Sequence, residues 1–244
     1  MKQRSFFERL FNIHDSTDTG VWIRSTRSLR QLIGVLGMAL PILLIVFSDC
    51  KDIPLESISH YYYTRAGDFF TVILSLIGIF LIFYTKDFWL STVAGVSILL
   101  VVFFPTSPLE PGCSIVDIPV NTDREALHYI AAAVFLIILA LMAIFYFPKQ
   151  DEEDKMMNHA VKYKGLYISC GIIMFLALGV LGARILCVYL DLGGYQAFHD
   201  AADLTFWMET VALEAFGLAW LVKGRSTVKY SEYKSFMEGQ SKPQ

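Results

Sequence analysis

Ser57-Ile-Ser-His-Tyr-Tyr-Tyr-Thr-Arg-Ala-Gly-Asp68 runs directly into Phe69-Phe-Thr-Val-Ile-Leu-Ser-Leu-Ile-Gly-Ile-Phe-Leu-Ile-Phe83. The second half is apolar and broken only by Thr71, Ser75 and Gly78. With its flanks it is long enough for a helix crossing a hydrocarbon core of about 30 Å. The first half is the densest run of chemically capable groups in the chain: serine hydroxyls, an imidazole, three phenols, a guanidinium and a carboxylate. It stands where a loop enters the membrane. This junction sets the fold class, an all-α polytopic membrane protein, and the depth at which chemistry is to be sought.

The rest of the chain follows the same pattern. Of 244 residues 55% are hydrophobic and 18% charged, with a mean hydropathy of +0.51. Soluble domains carry about 25% charged residues. The apolar excess falls in blocks at about 29–48, 68–85, 88–105, 126–147, 165–189 and 204–222, which predicts a six-helix transmembrane bundle. The net charge of −3 decides nothing about nucleic acid, which is not among the expected partners.

Residues 1–28 show no cleavable signal peptide. Phe6, Phe7, Leu10 and Phe11 fit a short interfacial helix or, equally, a tail packed on the bundle. In the first span Gly34 and Gly37 share a face and permit close helix approach, and Pro41 predicts a kink. Tyr84-Thr-Lys-Asp87 reads as a tight turn. Pro105, Pro108, Pro111 and Pro119 make 105–121 an extended loop. Thr122-Asp-Arg-Glu125 reads as a capping box, with Thr122 as N-cap and Glu125 reaching back. Residues 149–164, including Asp151-Glu-Glu-Asp154, are polar, and 190–203 read as a loop around Gly193-Gly194. The segment 223–244 is a polar tail.

Sixteen Lys and Arg, counting Arg30, belong to the termini and to the loops on their side; Lys51, Arg65, Arg124 and Arg184 belong to the other side. The positive-inside rule then makes both termini cytoplasmic. His60, His128, His199, Asp68, Arg184, Asp203 and Glu209 fall at the outer side, while His14 and His159 fall inside. Cys50 and Cys113 lie in outer loops, where an oxidising compartment permits a disulfide. Cys187 competes for either partner, and Cys170 reads as an apolar filler.

A charge within a span faces the bundle interior and finds a partner. Arg184 and Glu209 lie at equal depth on successive helices, so an Arg184–Glu209 ion pair is expected, with Asp68 as competitor. Glu214 lies deeper and reads as a neutral group bonded to a neighbouring helix. Tyr61, Tyr62 and Tyr63 suit an interfacial aromatic belt. The belt does not account for Ser57, Ser59, His60, Arg65 and Asp68 beside them. Ser59, Asp68, His128 and Glu209 are the candidate catalytic residues. His60, Tyr61, Tyr62, Thr106, Arg184 and Trp207 are the candidate ligand-binding residues. No Gly-x-Ser-x-Gly elbow and no His-Glu-x-x-His pair is present, so cofactor and metal stay open.

Ser57-Ile-Ser-His-Tyr-Tyr-Tyr-Thr64 with Asp68, Ala94-Gly95, Phe104-Pro-Thr106, Leu127-His128, Trp207-Met-Glu209, Ala215-Phe-Gly217 and Trp220-Leu-Val-Lys-Gly224 resemble a family of uncharacterised bacterial multi-pass membrane proteins. The resemblance covers roughly 29–224 and implies a bacterial cytoplasmic membrane location and no activity. A more distant likeness is to ceramidase-like membrane hydrolases, which combine a serine, an aspartate and three histidines around zinc in seven spans. This chain lacks their paired histidines on a late helix and has six spans.

Two readings follow. In the first, the protein binds a membrane lipid, another small amphiphile or a partner protein in a polar pocket at the outer leaflet. In the second, it is a metal-assisted hydrolase or transferase acting on lipid, with Asp68, His128 and Glu209 binding metal or exchanging protons and Ser59 as nucleophile or oxyanion donor. A transporter is a weaker third, since only Pro41 interrupts a span and Glu214 alone suggests proton coupling.

Overall fold

The computed structural model describes residues 19–50, 54–84, 88–108, 114–116, 119, 121–149, 163–191 and 193–226. The interfacial segment 5–13, Cys113, the centre of the Tyr84–Asp87 turn, the acidic run 151–154 and most of the tail lie outside these. Among the described residues the fold is all helical. The elements are α1 (Thr19–Phe47), a 3₁₀ helix (Ile58–Tyr63), α2 (Gly67–Ile82), α3 (Phe88–Phe103), α4 (Thr122–Leu141), α5 (Lys164–Tyr189), α6 (Gly193–Ala201) and α7 (Leu204–Ser226). α4 continues through a π turn at Met142–Tyr146, so its apolar stretch reaches Lys149.

Each long helix packs on its neighbour in sequence, and α7 returns to pack on α1, closing a ring of six. Four stretches are long and apolar enough to cross a membrane: Ser28–Phe47, Thr122–Lys149, Lys164–Tyr189 and Leu204–Gly224. α2 and α3 are equally apolar but have 16 residues each, a helical length of about 24 Å. Val72, Leu76, Ile79 and Phe83 recur at helical spacing on the outer face of α2 and stay about half exposed. Such a stripe around an already apolar interior is what lipid, rather than water, solvates.

Glycine sets the closest approaches. A Cβ on Gly34 of α1 would stand 2.6 Å from Gly217 O and from Leu221 N of α7. A Cβ on Gly95 of α3 would stand 2.6 Å from Gly78 O of α2. At the end of the ring where α2 finishes, Trp220 touches Phe80, Tyr84 and Phe147 at ring-centroid distances of 5.5, 5.2 and 5.3 Å. There Lys223 donates to Phe147 O at 3.2 Å, and Arg30 lies 5.2 Å over the Tyr84 ring.

Two local expectations change. The N-cap of α4 is Asn121, whose Oδ1 accepts from Asp123 N and Arg124 N, both at 3.1 Å. Thr122 is therefore the first helical residue, and Glu125 is released from any capping box. Residues 193–201 form helix α6 despite Gly193-Gly194. Asp49, Asp191 and Asp203 take left-handed backbone at φ 55°, 54° and 48°, each beside a helix end. Aspartate tolerates that conformation better than most residues.

Candidate functional site

The Ser57–Thr64 stretch folds as a single 3₁₀ helix lodged against the bundle. Ser57 caps it, its hydroxyl accepting from Ser59 N at 3.1 Å. Thr64 closes it, its amide donating to Tyr61 O. Tyr61 and Tyr63 are fully buried, which corrects the belt reading for these two. Tyr61 Oη accepts from Leu55 N at 3.2 Å, and Tyr63 donates its hydroxyl to Thr106 O. Tyr62 packs edge-on against Tyr63 and Phe70. The phenols are thus rivets that hold the 3₁₀ helix, and Ile115 N adds a bond to Tyr63 O at 2.8 Å.

Held this way, Ser59 meets His128 from α4. The Ser59 hydroxyl lies 2.9 Å from His128 Nε2, and His128 Nδ1 lies 2.8 Å from Phe104 O. A carbonyl oxygen only accepts, so the proton of the neutral ring sits on Nδ1. Nε2 is then a lone pair, and Ser59 donates to it. The Phe104 carbonyl is available because α3 ends here and Pro108, four residues on, has no N–H. The Phe104-Pro-Thr106 motif therefore supplies two carbonyls, one to His128 and one to Tyr63.

Beside this pair lies an acidic knot that the sequence did not suggest. Ser107 Oγ donates to Glu125 Oε2 at 2.8 Å, and Tyr129 Oη donates to Glu125 Oε1 at 3.0 Å. Thr106 Oγ1 lies 3.2 Å from Tyr129 Oη. A freed Glu125 at the head of α4 was the signal available, and it was hidden by the capping-box reading.

Glu209 reaches the same region from α7, where its Oε2 accepts from Ile58 N at 2.7 Å. Arg184 does not pair with it. Its guanidinium bonds Asp200 of α6 at 3.1 Å, on a partly exposed surface. The helix formed by 193–201 brings Asp200 nearer to Arg184 than Glu209 is. Asp68 is exposed in the first turn of α2, does not gather with His128 and Glu209 as a metal-ligand group, and suits the positive end of the helix there. Among the described residues no three His, Cys, Asp or Glu groups gather as metal ligands.

His60 is largely buried and its Nδ1 has no hydrogen-bond partner among the described residues. Burial above all, with His128 and Arg184 nearby, holds its imidazole down at about 4. Trp207 is 47% exposed and faces outward. Glu214 is half buried and makes no hydrogen bond among the described residues. Cys50 is disulfide-bonded, whereas Cys170 and Cys187 are free.

An open cleft lies inside the ring, with about 440 Å³ of empty space including the solvent at its mouth. Ser59 and Glu209 are its two polar side chains. α2, α3 and α4 each add a residue and another a turn along, Phe70 and Leu74, Val101 and Ile98, Ala132 and Leu136, while α1 adds Leu40 and α7 adds Leu213 one turn from Glu209. The cavity thus has a polar rim and an apolar floor. Of the ten candidate residues, Ser59 and Glu209 line it, His128 stands directly behind Ser59, and the other seven do not line it. Comparison with protein-family models, with curated proteins and with solved structures finds no match to this chain.

Proposed function

We propose that this is a six-span protein of a bacterial cytoplasmic membrane, with both termini cytoplasmic, that binds one acyl chain of a lipid amphiphile in the cavity of its outer half. The cavity carries this reading: an apolar floor suits a hydrocarbon chain, and Ser59 and Glu209 at the rim suit the polar linkage above it. The lysine and arginine distribution supports an outer-leaflet position for the rim. The outward stripe of α2 supports six spans even though α2 and α3 are short, because a bilayer thins locally around short helices at modest cost.

The test uses vesicles of phosphatidylethanolamine in which one acyl chain bears a diazirine. On irradiation, adducts should form on the 132–136 and 209–213 segments as well as on the lipid-facing 72–79 stripe. Leu213→Trp, which fills the floor, should remove the adducts at 132–136 and leave the stripe unchanged. Equal labelling of 132–136 in both proteins would overturn the reading.

A further inference from the structure

We propose that Ser59 and His128 are a nucleophile–base pair that takes the acyl group of an ester-linked lipid onto the Ser59 oxygen. The inference rests on the cavity reading above and adds the reaction class. Three observations carry it. Ser59 Oγ lines the cavity and donates to His128 Nε2 at 2.9 Å, the distance and direction that proton transfer needs. His128 is held in the required tautomer by Phe104 O, which fills the orienting role that a carboxylate fills in serine hydrolases. Behind Ser59 the ring is only 1% exposed, so a proton it accepts is not exchanged with bulk water during the step.

The step balances without a further cofactor. Ser59 Oγ attacks the ester carbonyl carbon as its proton passes to His128 Nε2. The tetrahedral adduct collapses, the bond from the carbonyl carbon to the ester oxygen breaks, and His128 returns the proton to the departing alkoxide. An alcohol leaves and an acyl ester of Ser59 remains. Water, or the hydroxyl of an acceptor, then attacks that ester. Its proton passes to His128 and finally to Ser59 Oγ. In the resting site both nitrogens of His128 are engaged, one with Phe104 O and one with Ser59, so the ring offers no lone pair to a metal there.

Glu209 is a positioning residue here. By accepting from Ile58 N it fixes the turn that carries Ser59. Glu209→Leu should lower Ser59 reactivity without changing its pH profile, and Glu209→Gln, which retains an acceptor oxygen for Ile58 N, should restore part of what the leucine variant loses.

The experiment treats the full-length protein in vesicles with a long-chain alkyl fluorophosphonate and maps the adduct by mass spectrometry. Phosphonylation of Ser59 is expected, and His128→Gln should slow it by about 10²–10⁴-fold. Ser59→Cys gives a second, independent readout with His128 in place. Its alkylation by iodoacetamide should stay nearly level between pH 9 and pH 7, since His128 takes the thiol proton. A rate falling tenfold per pH unit below about 8.5, as for an ordinary thiol, would overturn the proposal. An unlabelled Ser59 in a protein whose 132–136 segment still takes up the diazirine lipid would refute the nucleophile and leave the cavity reading standing. Absence of both labels would remove both.

Discussion

Replacing Gly34 with alanine should destabilise the ring by separating α1 from α7. The added Cβ would stand 2.6 Å from Gly217 O, 2.6 Å from Leu221 N and 2.9 Å from Leu221 Cα. All three are backbone atoms, so no side chain can rotate away. Ordinary contact begins near 3.4 Å, and α7 must therefore retreat by about 0.8 Å. A gap of 0.5–1 Å forfeits roughly a quarter to a half of the dispersion well for the atoms lining it. Overpacking of this kind costs about 1–3 kcal/mol. Alanine's better helix propensity returns up to about 1 kcal/mol, so relative to the Gly179→Ala control, which enjoys the same return, the loss is the full overpacking cost of about 1–3 kcal/mol. Gly179 on α5 is the control, because nothing lies within 4 Å of its added Cβ; Gly179→Ala should be neutral or slightly stabilising. The assay is reversible unfolding in mixed micelles with rising dodecyl sulfate, followed by tryptophan fluorescence. Gly34→Ala and Gly217→Ala together should cost less than their sum, since one retreat relieves both. A Gly34→Ala protein as stable as Gly179→Ala would refute the reasoning.

Two further outcomes follow from the site. His60 has an ordinary value of 6.5 and is held at about 4 in the fold, so between those values the unfolded chain binds a proton that the folded chain does not. Stability should fall as pH drops from 6.5 to 4, by about 3 kcal/mol over the whole window. The titratable groups facing His60 are His128, Glu125 and Arg184, and His60→Gln should flatten this part of a melting-temperature profile taken across pH. A profile that is the same in both proteins contradicts the burial argument. Asn121→Ala should cost about 1 kcal/mol in the same micelle assay by exposing two amides of α4, whereas Thr122→Ala should change little.

The six apolar blocks were legible from hydropathy, and all six coincide with helices, four of them long and apolar enough to cross a membrane. The close approach at Gly34 was legible for a similar reason: small residues three apart define a face whatever they meet. What sequence could not supply was azimuth and competition. Arg184 and Glu209 share a depth, but depth does not say which neighbour is nearer, and α6 delivers Asp200 first. Glu125 was assigned to a capping role that Asn121 fills better, which hid the Ser107 and Tyr129 partners. The three tyrosines have the composition of a belt, and only the 3₁₀ turn reveals that Tyr61 and Tyr63 point inward. Ser59 and His128 were each singled out, but 69 residues separate them. No short motif encodes a contact of that span.

A polar network within a membrane bundle has a sufficient structural use, since paired groups hold helices in register. The network around Glu125 fits that use: its oxygens are taken up by hydroxyls from one loop and one helix turn. Ser59 differs in what lies on its other side. A structural hydroxyl gains from close packing, and a void beside it forfeits dispersion contacts on every wall. Yet Ser59 and Glu209 border the cavity, and the apolar residues below them leave it open from α2, α3, α4 and α7 together. Larger side chains at Ala132 alone would reduce it. The hydrogen bond to His128 satisfies that hydroxyl, but the apolar hollow on its other side still costs stability. The simplest return on that cost is an occupant whose polar linkage meets Ser59 and whose hydrocarbon fills the floor.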